Sequence, residues 1–370
     1  MKSKWMAAIG LAGWLGGALT VQASDVDYGK PGEPIHLQVG YQPYYSEAWS
    51  GVVINGLGLW KKHLPAGSTV DFNIGLQGSI IVNAMLAGKE SIGYLGDMPA
   101  IVATTKRQVE DLRIVASIGL GYDECNVVFV RNDAPAFANA DEAVAWLDGK
   151  TVASPKGSCA DRFARAVFDK RHVNPGSYLN QSIEVITSGF RAGKLDGAVL
   201  WEPTATRLVE DSLARRVGSG NSFDERDGAF IDMRADLIQQ RPDVVKGWLE
   251  AELEAEQYLA DPKNAVSVAE LAQAQTTGFQ KHALWRALFG EYSPKEGGTP
   301  VRLTLPFELT PTALEHIKKS TAFLYAIKSI DTPDLPADAV LPELTAGILK
   351  EHGLGAPIGE IKAQPESAFK

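Results

Sequence analysis

Short runs of period-two alternation, each handing over to a helix opened by glycine or serine, constrain this chain more than any other feature. Ile35-His36-Leu37-Gln38-Val39 alternates as a strand does, and residues 70–74 alternate again. Gly78-Ser79 then opens an apolar helix through Leu86 that stops at Gly88. Residues 91–95 form a short strand that runs into Gly96-Asp97-Met98-Pro99 and a helix, and 113–118 form a further strand. This rhythm predicts an α/β layer with a mainly parallel sheet.

The rhythm restarts after Gly119-Leu120-Gly121. Strands are expected over 126–130 and 151–153, with helices over 141–147 and from Lys156-Gly157-Ser158 to about Arg171. Two more short strands are expected at 183–186 and 197–200, with 188–193 helical between them, and a polar stretch over 218–228 closes the unit. From Met233 onward the apolar spacing of three and four over 241–259 and 310–329 is helical, with one extended piece at 301–305. A helical block without a sheet of its own packs back on the first unit. The domains expected are therefore 25–124 with 225–330, an inserted 125–224, and a tail over 331–370 that packs on the first unit.

The 370 residues suffice for two such units, and 45 % apolar against 22 % charged residues is an ordinary globular composition. A net charge of −9 argues against nucleic acid as a partner, since phosphate binding needs clustered Lys and Arg. Lys2 and Lys4, an uncharged run over 5–21 and Val21-Gln22-Ala23 read as a secretory signal cleaved after Ala23. Losing Lys2 and Lys4 takes the mature charge from −9 to −11. The mature chain is then expected in an oxidising space such as a periplasm, where Cys125 and Cys159, its only cysteines, pair near the cleft. Two buried free thiols, or a thiol contact to ligand or metal, are the alternatives.

Parallel α/β sheets bind ligands beyond the carboxyl ends of their strands, where helix N-termini favour anions. Gln77-Gly78-Ser79, Gly96-Asp97-Met98, Lys156-Gly157-Ser158 and Thr187-Ser188 are four such turns. Plain N-capping is the competing reading of each turn alone, and two turns from each unit favour one shared site in the cleft. The loop holding Tyr44, Tyr45, Glu47 and Trp49 is aromatic without an apolar period, which suits a pocket wall or a staple to the core. Trp201 and Glu202 follow the last strand of the second unit, Trp201 reading as a lid or as a core tryptophan. Lys156 or Arg162 is expected to supply positive charge, and Asn126 and Ser188 complete the candidate set. No G-x-S-x-G, H-E-x-x-H or P-loop is present, and the six histidines lack ligand spacing. No enzyme activity, metal or cofactor is therefore expected.

Gly40-Tyr41-Gln42-Pro43, the Gly78-Ser79 helix with Leu86-Ala87-Gly88, and Ile92-Gly93 to Gly96-Asp97-Met98-Pro99 occur in this order. They are followed by Gly149-Lys150-Thr151-Val152-Ala153 with Pro155-Lys156-Gly157-Ser158, and by Gly193-Lys194-Leu195-Asp196-Gly197-Ala198 with Trp201-Glu202-Pro203. Together they resemble the aliphatic-sulfonate, taurine and nitrate binding proteins of ABC importers, over residues 35–330. The resemblance implies a type II periplasmic binding fold: two α/β domains joined by two crossovers, closing on one ligand in the cleft. It also implies a monomer that delivers a small organic anion (a sulfonate, sulfate ester or taurine-like molecule) to a permease and ATPase. Nitrate or bicarbonate, an aromatic carboxylate, or a thiamine-pyrimidine ligand or enzyme on the same fold are the alternatives. Ser158-Cys159-Ala160-Asp161-Arg162 departs from the Thr and His of relatives. Glu47, Asp97, Asp123, Glu124, Asp161 and Glu202 crowd the predicted loops. If two of them face the ligand, it carries a cationic group as well.

Overall fold

The computed structural model describes residues 26–370; the expected leader over 1–23 lies outside them. Twelve strands build two sheets. In chain order they are β1 (His36–Tyr41), β2 (Thr69–Ile74), β3 (Ile92–Gly96), β4 (Leu112–Gly121), β5 (Val127–Arg131) and β6 (Thr151–Ser154). They continue with β7 (Ser177–Asn180), β8 (Gly197–Leu200), β9 (Ala214–Ser219), β10 (Asp227–Arg234), β11 (Val301–Leu305) and β12 (Gly359–Lys362). A seven-stranded sheet has the order β12-β11-β4-β10-β3-β1-β2, and a five-stranded sheet the order β7-β6-β8-β5-β9.

The sheets are mixed rather than mainly parallel. β1 pairs in parallel with β2 and β3, and β6 with β7 and β8, because helices return the chain to the same edge. β5 and β10, the first strands after each passage between the sheets, instead run antiparallel to both neighbours. A strand entering from the other sheet arrives at the opposite end, so no crossover helix can align it.

β9 and β10 have no counterpart in the sequence reading. Every residue of β10 is buried, although Asp227, Asp232 and Arg234 break its apolar pattern. Its alternation survives only in Ala229, Ile231 and Met233, which join the main core while Phe230 faces the other way. The stretch expected as a strand at 183–186 is the start of a helix, Ile183–Arg191, capped by Ser182 through a 3.4 Å bond from the Val185 N–H. A short apolar run is ambiguous between strand and helix, and the serine cap decides it.

The helical block packs on the seven-stranded sheet. Tyr94 of β3 donates to Glu252 of the helix Pro242–Ala260 at 2.8 Å. The tail contributes β12 to the sheet edge, and Val340 bridges Ile114 of β4.

Candidate functional site

A pocket lies at the carboxyl ends of five parallel-paired strands. Gln42 and Tyr45 follow β1, Gln77, Gly78 and Ser79 follow β2, and Gly96 and Pro99 follow or end β3. Facing them, Pro155, Lys156, Gly157, Ser158 and Cys159 follow β6, and Trp201 follows β8. Ser79, Lys156 and Gly157 are exposed at the mouth, whereas Gln42, Tyr45, Gly96, Cys159 and Trp201 are buried at the floor. The two sheets thus each supply one wall.

Three helices start at this pocket: Gly78–Leu86, Asp97–Thr104 and Cys159–Arg171. Their first-turn N–H groups carry the partial positive charge of the helix dipole. Ser158 caps the third helix by accepting from Asp161 N at 3.3 Å, while Gln77 gives the first helix no side-chain cap. That uncapped end therefore faces the pocket with donors to spare. Gly78 allows the arrangement, because a Cβ there would stand 2.4 Å from Cγ of Pro99.

Among the described residues lining the pocket, Lys156 is the only charged side chain, and its Nζ lies 5.4 Å from the centre of the Tyr178 ring. No carboxylate is among them. Tyr45 donates its hydroxyl to Glu47, which lies behind it, and its ring meets Trp201 edge-on with centroids 6.4 Å apart. Trp201 donates its indole N–H to the carbonyl of Tyr44 at 2.9 Å, so it spans from one wall to the other. Cys125 and Cys159 are bonded to each other, with Cα atoms 6.1 Å apart, which ties the pocket wall to the segment entering the five-stranded sheet.

Of the candidate residues, Tyr45, Gln77, Gly78, Ser79, Lys156, Ser158 and Trp201 meet here. The others lie elsewhere. The hydroxyl of Tyr44 accepts from Thr277 N at 3.1 Å, and Trp49 is a fully buried core residue donating to Pro43 O. Met98 is likewise core, and Asn126 is bound to the Glu225 carbonyl at 3.0 Å. Ser188 sits mid-helix, bonding the Glu184 carbonyl at 3.0 Å, because the helix begins six residues before it at its Ser182 cap. Glu202 accepts from Thr206 and, at 2.8 Å, from Arg216.

Arg162 is consumed behind the pocket. Its Nε donates to Asp97 at 3.2 Å, its Nη2 donates to the Arg226 carbonyl, and its Nη1 is 3.5 Å from Glu225. The same Asp97 oxygen accepts from His316 at 2.8 Å and Ser320 at 3.1 Å. Burial alone would raise the Asp97 carboxyl, but Arg162 and His316 outweigh it and hold it below its usual range. Sequence reasoning left out Gln42, Gly96, Pro99, Pro155 and Gly157 as contacts, although all five lie in the turns and motifs it had singled out.

Between the sheets lies a buried ion network. Asp123 and Glu124 share Arg302, and Arg216 joins Asp123 at 3.3 Å to Glu202 at 2.8 Å. Three carboxyls thus face two guanidinium groups. Burial pushes Glu124 up to about 8 against the pull of Arg302, and pushes Asp227 up to about 7 against the Cys125 N–H. The folded chain therefore holds protons that the unfolded chain releases near pH 4 to 4.5. Stability from these groups falls as pH rises towards the folded values. Burial also lowers His316 from 6.5, an effect on stability that vanishes above that pH. The urea midpoint is expected to fall between pH 6.5 and 8, and Glu124→Gln to flatten the fall. A midpoint rising across this window would refute the assignment.

A family model described as NMT1-like matches residues 30–273, well over half of the chain. The taurine-binding periplasmic protein of Escherichia coli (strain K12) is 27 % identical over 218 residues, 56 % of this chain and 64 % of its own length. The chain thus spans slightly under two thirds of that curated relative. Among solved structures, the alkanesulfonate-binding protein of Xanthomonas axonopodis pv. citri, bound to MOPS, superposes with a TM-score of 0.66 at 20 % identity. That likeness covers 85 % of this chain and 99 % of the other. A desulfurization enzyme, DszB, superposes with a TM-score of 0.60 at 15 % identity, covering 86 % and 99 %. The mixed α/β architecture of two sheets is therefore that of the periplasmic binding proteins, and the chain belongs to the NMT1-like family.

Proposed function

We propose that this chain is the exported solute-capturing component of an ABC importer, binding a small organic anion between two lobes. The lobes are 25–124 with 225–330, and 125–224. The ligand class is a sulfonate, sulfate ester or taurine-like anion. One observation carries the reading: helix N-termini from both walls and Lys156 face a pocket with no carboxylate among its lining residues. Such a cradle stabilises negative charge and offers a cation no counter-charge.

The names of the similar proteins support the class of ligand and the periplasmic setting. No described helix is long and apolar enough to cross a membrane. Fold alone does not separate capture from catalysis. Capture is favoured because the two cysteines are bonded to each other and none of the six histidines borders the pocket. Delivery to a permease and ATPase by a monomeric chain completes the reading.

A thermal-shift panel of sulfonates, sulfate esters, carboxylates and inorganic oxyanions tests it. A true ligand at 100 times its Kd adds about 2.7 kcal/mol and raises Tm by several degrees. Lys156→Ala is expected to weaken that ligand roughly five- to tenfold, about 1 kcal/mol for an exposed cation. Stabilisation by neutral sugars alone, or unchanged affinity in Lys156→Ala, would overturn the anion site.

A further inference from the structure

Gln42 is held so that only one end of its amide can meet a ligand. The residue is 4 % exposed, and its Nε2 donates to the carbonyl of Tyr94 in β3 at 2.9 Å. A carbonyl can only accept, so turning the amide over would set oxygen against oxygen. The turn beneath it is closed by the Tyr45 N–H bonding the Gln42 carbonyl at 3.1 Å, which holds the residue against β3. Gln42 lines the pocket, Oε1 is the end of its amide left for a ligand, and no hydrogen bond to Oε1 is found among the described residues.

The rest of the pocket has the opposite polarity. The helix starts at Gly78 and Cys159 present N–H groups, and Lys156, whose ammonium lies over the Tyr178 ring, stands at the rim. Ser158 has its hydroxyl proton on the Pro155 carbonyl at 2.6 Å, and Tyr45 has its own on Glu47. An anionic head satisfies the donors at the mouth and does nothing for an acceptor at the floor. An enclosed acceptor without a donor loses its hydration with no return, which disfavours any ligand that is apolar at that point.

We propose that Gln42 is a specificity residue that selects organic anions bearing a hydrogen-bond donor on their chain, a hydroxyl or an ammonium, over unsubstituted ones. This rests on the anion-capture reading above and narrows it. The donor engages Oε1 while the anionic head occupies the helix N-termini. Tyr45 and Trp201 enclose the short chain between the two. A site built around a fixed acceptor rejects the analogue that lacks the donor more sharply than an apolar wall rejects one extra methyl.

Three ligands of similar size decide it by titration calorimetry on the full mature chain. They are 2-hydroxyethanesulfonate, 2-aminoethanesulfonate and 1-propanesulfonate. At least one of the first two is expected to bind tenfold or more tighter than 1-propanesulfonate, about 1.4 kcal/mol. Which of them is tighter identifies the donor as neutral or cationic. In Gln42→Met, close in size and without the acceptor, that ratio is expected to fall to about one, whatever happens to absolute affinity. A wild-type ratio below tenfold overturns the inference without needing the variant, and so does a ratio that survives in Gln42→Met. If none of the three binds, the sulfonate reading falls, and this inference with it.

Discussion

Arg302→Ala is expected to lower the free energy of unfolding at pH 7 by about 3–5 kcal/mol, the loss typical of removing one partner from a buried ion network. Arg302 is fully buried and its guanidinium satisfies four groups at once. It donates to Asp123, to Glu124 at 2.5 Å and to the Ala287 carbonyl at 2.6 Å, and lies 4.7 Å from the Tyr292 ring centre. Without it, Arg216 alone faces Asp123, Glu124 and Glu202. Water cannot reach them, so the carboxyls must take up protons or separate. Urea denaturation measures the loss, and the variant should also show a steeper fall in stability above pH 6.5. Combining Arg302→Met with Asp123→Asn and Glu124→Gln is expected to recover part of it, because the penalty lies in the uncompensated charges. A loss below about 1 kcal/mol would mean that the network is hydrated in solution.

Replacing Cys125 and Cys159 by serine is expected to cost about 3–4 kcal/mol, from the entropy of opening a loop of 34 residues in the unfolded chain. The bridge joins the first residue of the Cys159 helix, on the pocket wall, to a residue whose N–H is bound by Asp227. Its loss thus acts on the wall as well as on the unfolded ensemble. Wild-type protein melted with and without a strong reductant should reproduce the difference, while the double variant should not respond to reductant. Denatured, unreduced protein that titrates two thiols per chain would reject the bridge outright.

The parts of the fold that local rules govern were legible. β1, β2, β3, β6 and β8 alternate or run apolar between turn residues, and the loops at their carboxyl ends form the pocket. Local pattern cannot report a strand whose neighbours are distant in sequence, and β10 is such a strand. Its Asp227 and Asp232 look like loop residues until the sheet closes round them. The same limit divided the candidate residues. Glycine and hydroxyl residues of the helix-opening turns at Gly78 and Ser158 reached the pocket, whereas Glu47, Asp97, Arg162 and Glu202 were drawn into pairs with partners up to 223 positions away. A charge in a loop looks available in the sequence. Whether it remains available depends on which opposite charge the fold brings to it.

The seating of Arg162 against Asp97 bears on timing. Asp97 starts a helix on the seven-stranded side, Arg162 lies in a helix of the five-stranded side, and both are almost wholly sheltered from water. Parting the walls must rehydrate an ionised pair, and charges that lose each other before water arrives resist separation. On the function proposed above, release of a solute from between these walls includes the wetting of this pair as one of its steps.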